Sequence, residues 1–156
     1  MDSCITKLAR FIGLILLLIF PIASIADEIT FTSSSWNTAK KNVRNVIYLG
    51  HTKTFYCGCD YIPTGASGGS IDQHSCGYNS NGQSHSARAV RLEWEHVVPA
   101  SLMPARQSSC WNEGLPQCRE GGRSCCEKHD SNAQAMIFDL LNLTPSIGQT
   151  NALRSN

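Results

Sequence analysis

Of the eight cysteines in this 156-residue chain, seven lie between positions 57 and 126: Cys57, Cys59, Cys76, Cys110, Cys118, Cys125 and Cys126. No other feature limits the fold as much. Such density belongs to a compartment where thiols oxidise, and it reads as a disulfide framework. Seven is odd, so at most three intramolecular bridges form, and one thiol stays free or links to another chain. Zinc is the competing reading, but Cys57-Gly-Cys59 and adjacent Cys125-Cys126 lack the paired spacing of a zinc ribbon.

The eighth cysteine, Cys4, sits in a segment of another kind. Lys7 and Arg10 precede an apolar run from Phe11 to Ile22, and small residues follow at Ser24 and Ala26. That order predicts a secretory leader over residues 1–26, cleaved after Ala26. The run is shorter than the roughly 20 residues of a spanning helix, so no membrane attachment is expected after cleavage. Residues 27–156 then form one domain. The formal charge of +1 becomes zero once Lys7, Arg10 and Asp2 are gone. With 42% hydrophobic and 16% charged residues, the chain is no disordered tail. Any attraction to an anionic partner has to be local.

Hydrophobic spacing places the elements. Ser33–Ser35 offer N-cap hydroxyls to a helix running to about Tyr48, with Trp36, Ala39, Val43, Val46 and Ile47 on one face. Lys40, Lys41 and Arg44 fall on another face, open to solvent or to phosphate. Thr54–Tyr61 reads as a strand or strand edge. Residues 62–86 are Gly-, Ser- and Asn-rich without apolar period, a long loop that Cys76 could pin. Val90–Val98 alternates as a strand ended by Pro99. Residues 100–130 read as irregular. A second helix is expected from about Ser131 to Asn142, with Ala133, Met136, Ile137, Leu140 and Leu141 inward and Asn142 outward, stopped by Thr144-Pro145. Strands and helices in this order predict an α+β domain.

Glu95-His96 is the densest chemical pair. A carboxylate suits a hard cation such as Mg²⁺, and imidazole titrates near enough to neutrality to take a proton from water. Alone the pair is weak evidence, because neighbours on a regular strand face opposite sides. Both serve one site only if the strand twists or ends there, and Pro99 makes an ending plausible. Asn142 has a plain reading as a helix cap. Glu93 and Glu95 also share a strand face, but no sugar-stacking platform accompanies them for glycoside hydrolysis.

The combination is more specific than its parts. TFYCGCDY at 54–61, RLEWEHVVPA at 91–100 and DLLNLTPSIGQTNALRSN at 139–156, with SCWNEG at 109–114 and GGRSC at 121–125, together resemble the endonuclease I family of periplasmic and extracellular bacterial nucleases. The resemblance implies a disulfide-stabilised domain around a ββα-metal motif, two strands and a helix gripping one divalent cation, Mg²⁺ or else Mn²⁺ or Ca²⁺. It implies Glu95 and Asn142 as metal ligands, His96 as general base and Arg123 as the phosphate-holding residue. Arg91, Arg106, Lys40 and Arg44 are the candidate nucleic-acid contacts. The activity implied is sugar-nonspecific cleavage of DNA, and of RNA, to 5′-phosphate products by a monomer outside the cytoplasm.

Three departures from the family pattern stand out. The chain is short at its C-terminus. Leu141 stands where the family often has His. The stretch from Cys110 to Arg123 is longer and carries Cys118, so Arg106 and Arg119 remain substitutes for Arg123. The shortness motivates an alternative, a catalytically inactive secreted binding module on the same scaffold.

Overall fold

Ser35 opens the first element: its backbone is extended, at φ −158° and ψ 156°, and its hydroxyl accepts the Thr38 N–H at 3.3 Å. The computed structural model describes residues 31–155, so the leader expected over residues 1–26 lies outside the described residues. From the Ser35 cap runs α1 (Trp36–Asn42), which passes into a π-helical turn over Val43–Ile47, marked by Tyr48 N–H donating to the Val43 carbonyl at 2.9 Å. Ala39 and Val43 are fully buried, as their spacing predicts. Val46 is not, being 60% exposed: the wider π turn adds a residue per turn and rotates it out of the expected face.

The stretch expected to be a long loop contains a hairpin. β1 (Asp60–Thr64) pairs antiparallel with β2 (Gly68–Asp72) in the register Tyr61↔Ile71. These two are its only buried residues, Ile62 is 69% exposed and most of the rest is Gly, Ser, Thr, Pro or Asp, so no apolar alternation announces it. Contacts outside the ladder help to hold it, three of them at its base, tip and face. The Cys59–Cys76 bridge pins its base, as expected for Cys76. Arg44 donates to the carbonyls of Thr64 and Gly65 at the tip, at 3.1 and 2.7 Å. At Gly69 a Cβ would lie 2.9 Å from the Leu92 side chain, so the missing side chain lets β2 press against the next strand.

That strand, β3 (Leu92–His96), is shorter than the alternation implies, and Val90 and Val98 stay half exposed. Two 3-10 turns (Ala100–Leu102 and Pro104–Gln107) and two short helices follow, α2 (Ser109–Asn112) and α3 (Arg123–His129), in the region expected to be irregular. The Cys110–Cys126 bridge ties the two helices together and Cys118–Cys125 ties the loop between them to α3; among the described residues Cys57 is the exposed free thiol. Then α4 (Ser131–Ile137) starts from Asp130, whose carboxylate accepts the Asn132 and Ala133 N–H groups. It ends five residues before the expected limit. Phe138, 2% exposed, takes an inner place, while Met136 (37%) and Leu141 (62%) turn outward rather than joining the core stripe.

Leu143–Ile147 forms β4, fully buried and antiparallel to β3 from His96↔Leu143 to Leu92↔Ile147. Pro145 therefore sits within a strand rather than ending a helix. N–H and C=O of one strand residue point the same way, and the Pro145 carbonyl accepts Phe55 N–H at 2.9 Å, away from β3. The missing proline donor thus costs the ladder nothing. The chain enters α5 (Gly148–Arg154) directly, and α5 packs on both strands. β3, β4 and α5 make a ββα unit within an α+β domain. Val43, Ile137, Leu143 and Ile147 form its centre, each contributing about 1.5–3 kcal/mol by burial. Among the described residues no helix is long and apolar enough to cross a membrane.

Candidate active site

Glu95 and His96 end β3, and there the alternation of a regular strand breaks down. Both line a single cavity of about 270 Å³, at 6% and 7% exposure. Beyond His96 the regular strand ends: pairing continues only onto Asn142, whose carbonyl accepts Val97 N–H at 2.9 Å, while the His96 and Val97 carbonyls each accept from the Arg154 guanidinium at 2.6 Å. The adjacent pair thus reaches one site because the strand stops, as Pro99 leads one to expect.

The His96 ring stacks on Trp36, centroids 5.2 Å apart and planes 14° apart. Its Nε2 lies 2.7 Å from the Ile137 carbonyl oxygen. A carbonyl only accepts, so Nε2 carries the proton and Nδ1 keeps the basic lone pair. Burial holds the His96 pKa below its ordinary value, against the pull of the Ile137 carbonyl, and the nearby Arg123 and Arg154 charges lower it further. The imidazole is therefore neutral at pH 7.

Glu95 has one oxygen engaged and one free. Oε1 accepts Arg154 Nη1 at 2.8 Å, while Oε2 is buried without a hydrogen-bond partner. An acceptor left bare in a polar cavity costs free energy unless a cation or donor reaches it. One turn before Arg154 on α5, Asn151 also lines the cavity; its Nδ2 donates to Glu93 Oε2 at 2.9 Å. Its Oδ1 makes no hydrogen bond among the described residues. A bare carboxylate oxygen and a bare amide oxygen fit a hard divalent cation. Among the described residues no group of three or more His, Cys, Asp or Glu could hold a metal, so such a cation would keep most of its shell for water and substrate.

Arg123, the first residue of α3, lines the same cavity, over the Trp36 ring at 5.5 Å and paired with Glu127 at 2.6 Å. Glu95, His96 and Arg123 thus meet, as the sequence predicts. Asn142 does not join them. It lies in a 3-10 turn (Leu140–Asn142), where Oδ1 accepts Val98 N–H at 2.8 Å and Nδ2 donates to the Val98 carbonyl at 3.1 Å. Its amide copies a strand residue and lengthens the β3–β4 ladder by a rung, on a surface lined by Met103 and Leu141 instead.

The four candidate nucleic-acid contacts part company. Lys40 lines a groove that shares Trp36, Trp94 and Asn151 with the cavity. Arg91 is exposed and pairs with Glu93 at 3.2 Å. Arg44 is committed to the hairpin tip, and Arg106 to Asn112 and the Trp111 ring. Sequence reasoning missed Asn151, Arg154 and Arg88, which all line the cavity. The signal was an Asn-x-x-Arg pair at helical spacing, beyond Thr144-Pro145, where the expected elements ended.

Residues 30–156 match the family model described as Endonuclease I. An extracellular deoxyribonuclease of Aeromonas hydrophila is 39% identical over 140 residues, covering 90% of this chain and 56% of the relative. A periplasmic deoxyribonuclease of the same organism is 41% identical over 110 residues, 70% of this chain and 41% of the relative. Endonuclease-1 of Buchnera aphidicola subsp. Baizongia pistaciae (strain Bp) is 40% identical over 116 residues, 74% of this chain and 42% of the relative. The chain spans about half the length of the relatives it matches.

Proposed function

This chain belongs to the endonuclease I family, and on that premise we propose that it hydrolyses internal phosphodiester bonds of DNA, and of RNA, as a monomer outside the cytoplasm. The observation that carries the reading is one cavity lined by a neutral histidine with a free Nδ1, a carboxylate with a bare oxygen, an amide oxygen and an arginine. The relatives' names, extracellular and periplasmic deoxyribonuclease, support DNA as substrate and the location. Three disulfides fit an oxidising compartment.

His96 accepts a proton at Nδ1 from the attacking water, and the Ile137 carbonyl holds Nε2–H so that the imidazolium is stabilised as it forms. Water oxygen bonds to phosphorus, and the bond to the 3′-oxygen breaks, which leaves the phosphate on the 5′ side. Arg123 binds the phosphate oxygens as their charge grows. Glu95 and Asn151 hold the divalent cation, Mg²⁺ or in its place Mn²⁺ or Ca²⁺. When bound, that ion neutralises charge on the phosphate and aids the leaving oxygen. Asn151 replaces Asn142 in this role, because both ends of the Asn142 amide are engaged by Val98. Contacts to phosphate carry no sequence information, so cleavage is nonspecific. Glu93 is no partner to Glu95 in sugar chemistry, since both its oxygens are filled by donors.

Plasmid nicking by the folded, oxidised chain tests this reading against an inactive binding module. Cleavage is expected with Mg²⁺ and none with EDTA. His96→Ala should lose about 10²–10⁴ in rate while keeping a cooperative thermal unfolding transition. Cleavage as fast in EDTA, or by His96→Ala, overturns it.

A further inference from the structure

We propose that Glu93 is a positioning residue that turns the Asn151 amide so that its oxygen, not its NH₂, faces the cation. The proposal rests on the reading of Asn151 as a cation ligand. Glu93 and Glu95 lie two apart on β3 and share a face, and Asn151 and Arg154 lie three apart on α5 and share another. The two faces meet as a seam with two rungs: Glu93 accepts from Asn151 at 2.9 Å and Glu95 from Arg154 at 2.8 Å.

An amide rotated by half a turn presents NH₂ in place of oxygen, and an N–H donor repels a cation. Carboxylate oxygens only accept, so Glu93 bonds the NH₂ end alone and leaves Oδ1 outward. Glu93 is itself fixed. Oε1 takes Arg88 Nε at 2.9 Å and Arg91 Nη2 at 3.2 Å, and Oε2 takes the other Arg88 nitrogen together with Asn151. Four donors fill the carboxylate, so it orients a ligand without being one, whereas Glu95 keeps a bare oxygen. Gly148 leaves the room: a Cβ there would stand 2.6 Å from Glu93 Oε1 and 2.7 Å from the Arg88 carbonyl.

Calorimetric titration of Mn²⁺ into the folded full chain tests this through a double-mutant cycle of Glu93→Gln and Asn151→Ala. Glutamine offers one oxygen for which two arginines compete, and its own NH₂ confronts that of Asn151. Glu93→Gln should weaken Mn²⁺ binding about tenfold or more, the scale of losses when a ligand's supporting partner is removed. It should add nothing in the Asn151→Ala background. Glu93→Asp, which keeps the charge for Arg88, should bind between wild type and Glu93→Gln, and it carries the cycle if Glu93→Gln fails to fold. Wild-type affinity in the Glu93 variant, or losses that multiply in the double variant, overturns the proposal while leaving Asn151 a ligand. Wild-type affinity in Asn151→Ala overturns both.

Discussion

A histidine stacked on Trp36 and bonded to the Ile137 carbonyl ionises at a cost, because burial disfavours the cation and Arg123 and Arg154 lie close by. With the pKa displaced downward, the neutral base persists as the solution turns mildly acidic. Single-turnover cleavage should therefore stay level as pH falls to about 6.5 and decline only below it. A decline that begins well above that value contradicts the assignment of His96 as the buried base. The sign for stability follows: the native state favours neutral His96, so native stability falls as pH drops from about 6.5 toward the lowered native value. At this scale the sequence was legible in the meeting of Glu95, His96 and Arg123 at one cavity. It misled at Asn142, where an amide that looks like a ligand does backbone work for Val98.

The elements divide by how they bury their apolar residues. The helix capped by Ser35 and the strand around Trp94 carry plain periods and form where those periods lie, although the π turn rotates Val46 out and β3 is shorter than its alternation. The β1–β2 hairpin is held by a disulfide, Arg44 and one close glycine contact, none of which leaves a hydrophobic pattern. β4 was hidden by its proline, and α5 behind it, so Asn151 and Arg154 passed unread. Cysteine pairing was beyond sequence reach as well, although the upper limit of three bridges was not. The Cys110–Cys126 bridge matters to function because it fixes α3, the element that carries Arg123. It closes a span of 16 residues, so replacing both cysteines with alanine should cost about 2–4 kcal/mol in urea unfolding and slow cleavage. An unchanged midpoint would show that packing and the Cys118–Cys125 bridge hold α3 without it.

Across the whole molecule the opening cysteine count and the zero charge of residues 27–156 set the terms. Without a global field, attraction to a polyanion rests on few cations: Arg123 at the cavity, Lys40 at the adjoining groove and the exposed Arg91. Two or three phosphate contacts correspond to a slope of about −2 to −3 in log affinity against log salt. Fluorescence anisotropy with labelled duplex DNA in Ca²⁺ measures that slope, and a value near −6 would mean a basic surface that the cavity does not explain. The ββα unit gathers its site from β3 and α5, over fifty residues apart in the chain, which is why single motifs pointed to the chemistry but not to its full set of residues. Cleavage rates of Asn151→Ala and Asn142→Ala, measured side by side with Mg²⁺, separate the site from its surroundings. Asn151→Ala should lose at least about a hundredfold in rate with its melting temperature kept, whereas Asn142→Ala should lose about 1–2 kcal/mol of stability and still cleave. The reverse pattern, activity kept without Asn151 and lost without Asn142 in a stable fold, would contradict the placement of the active site between β3 and α5.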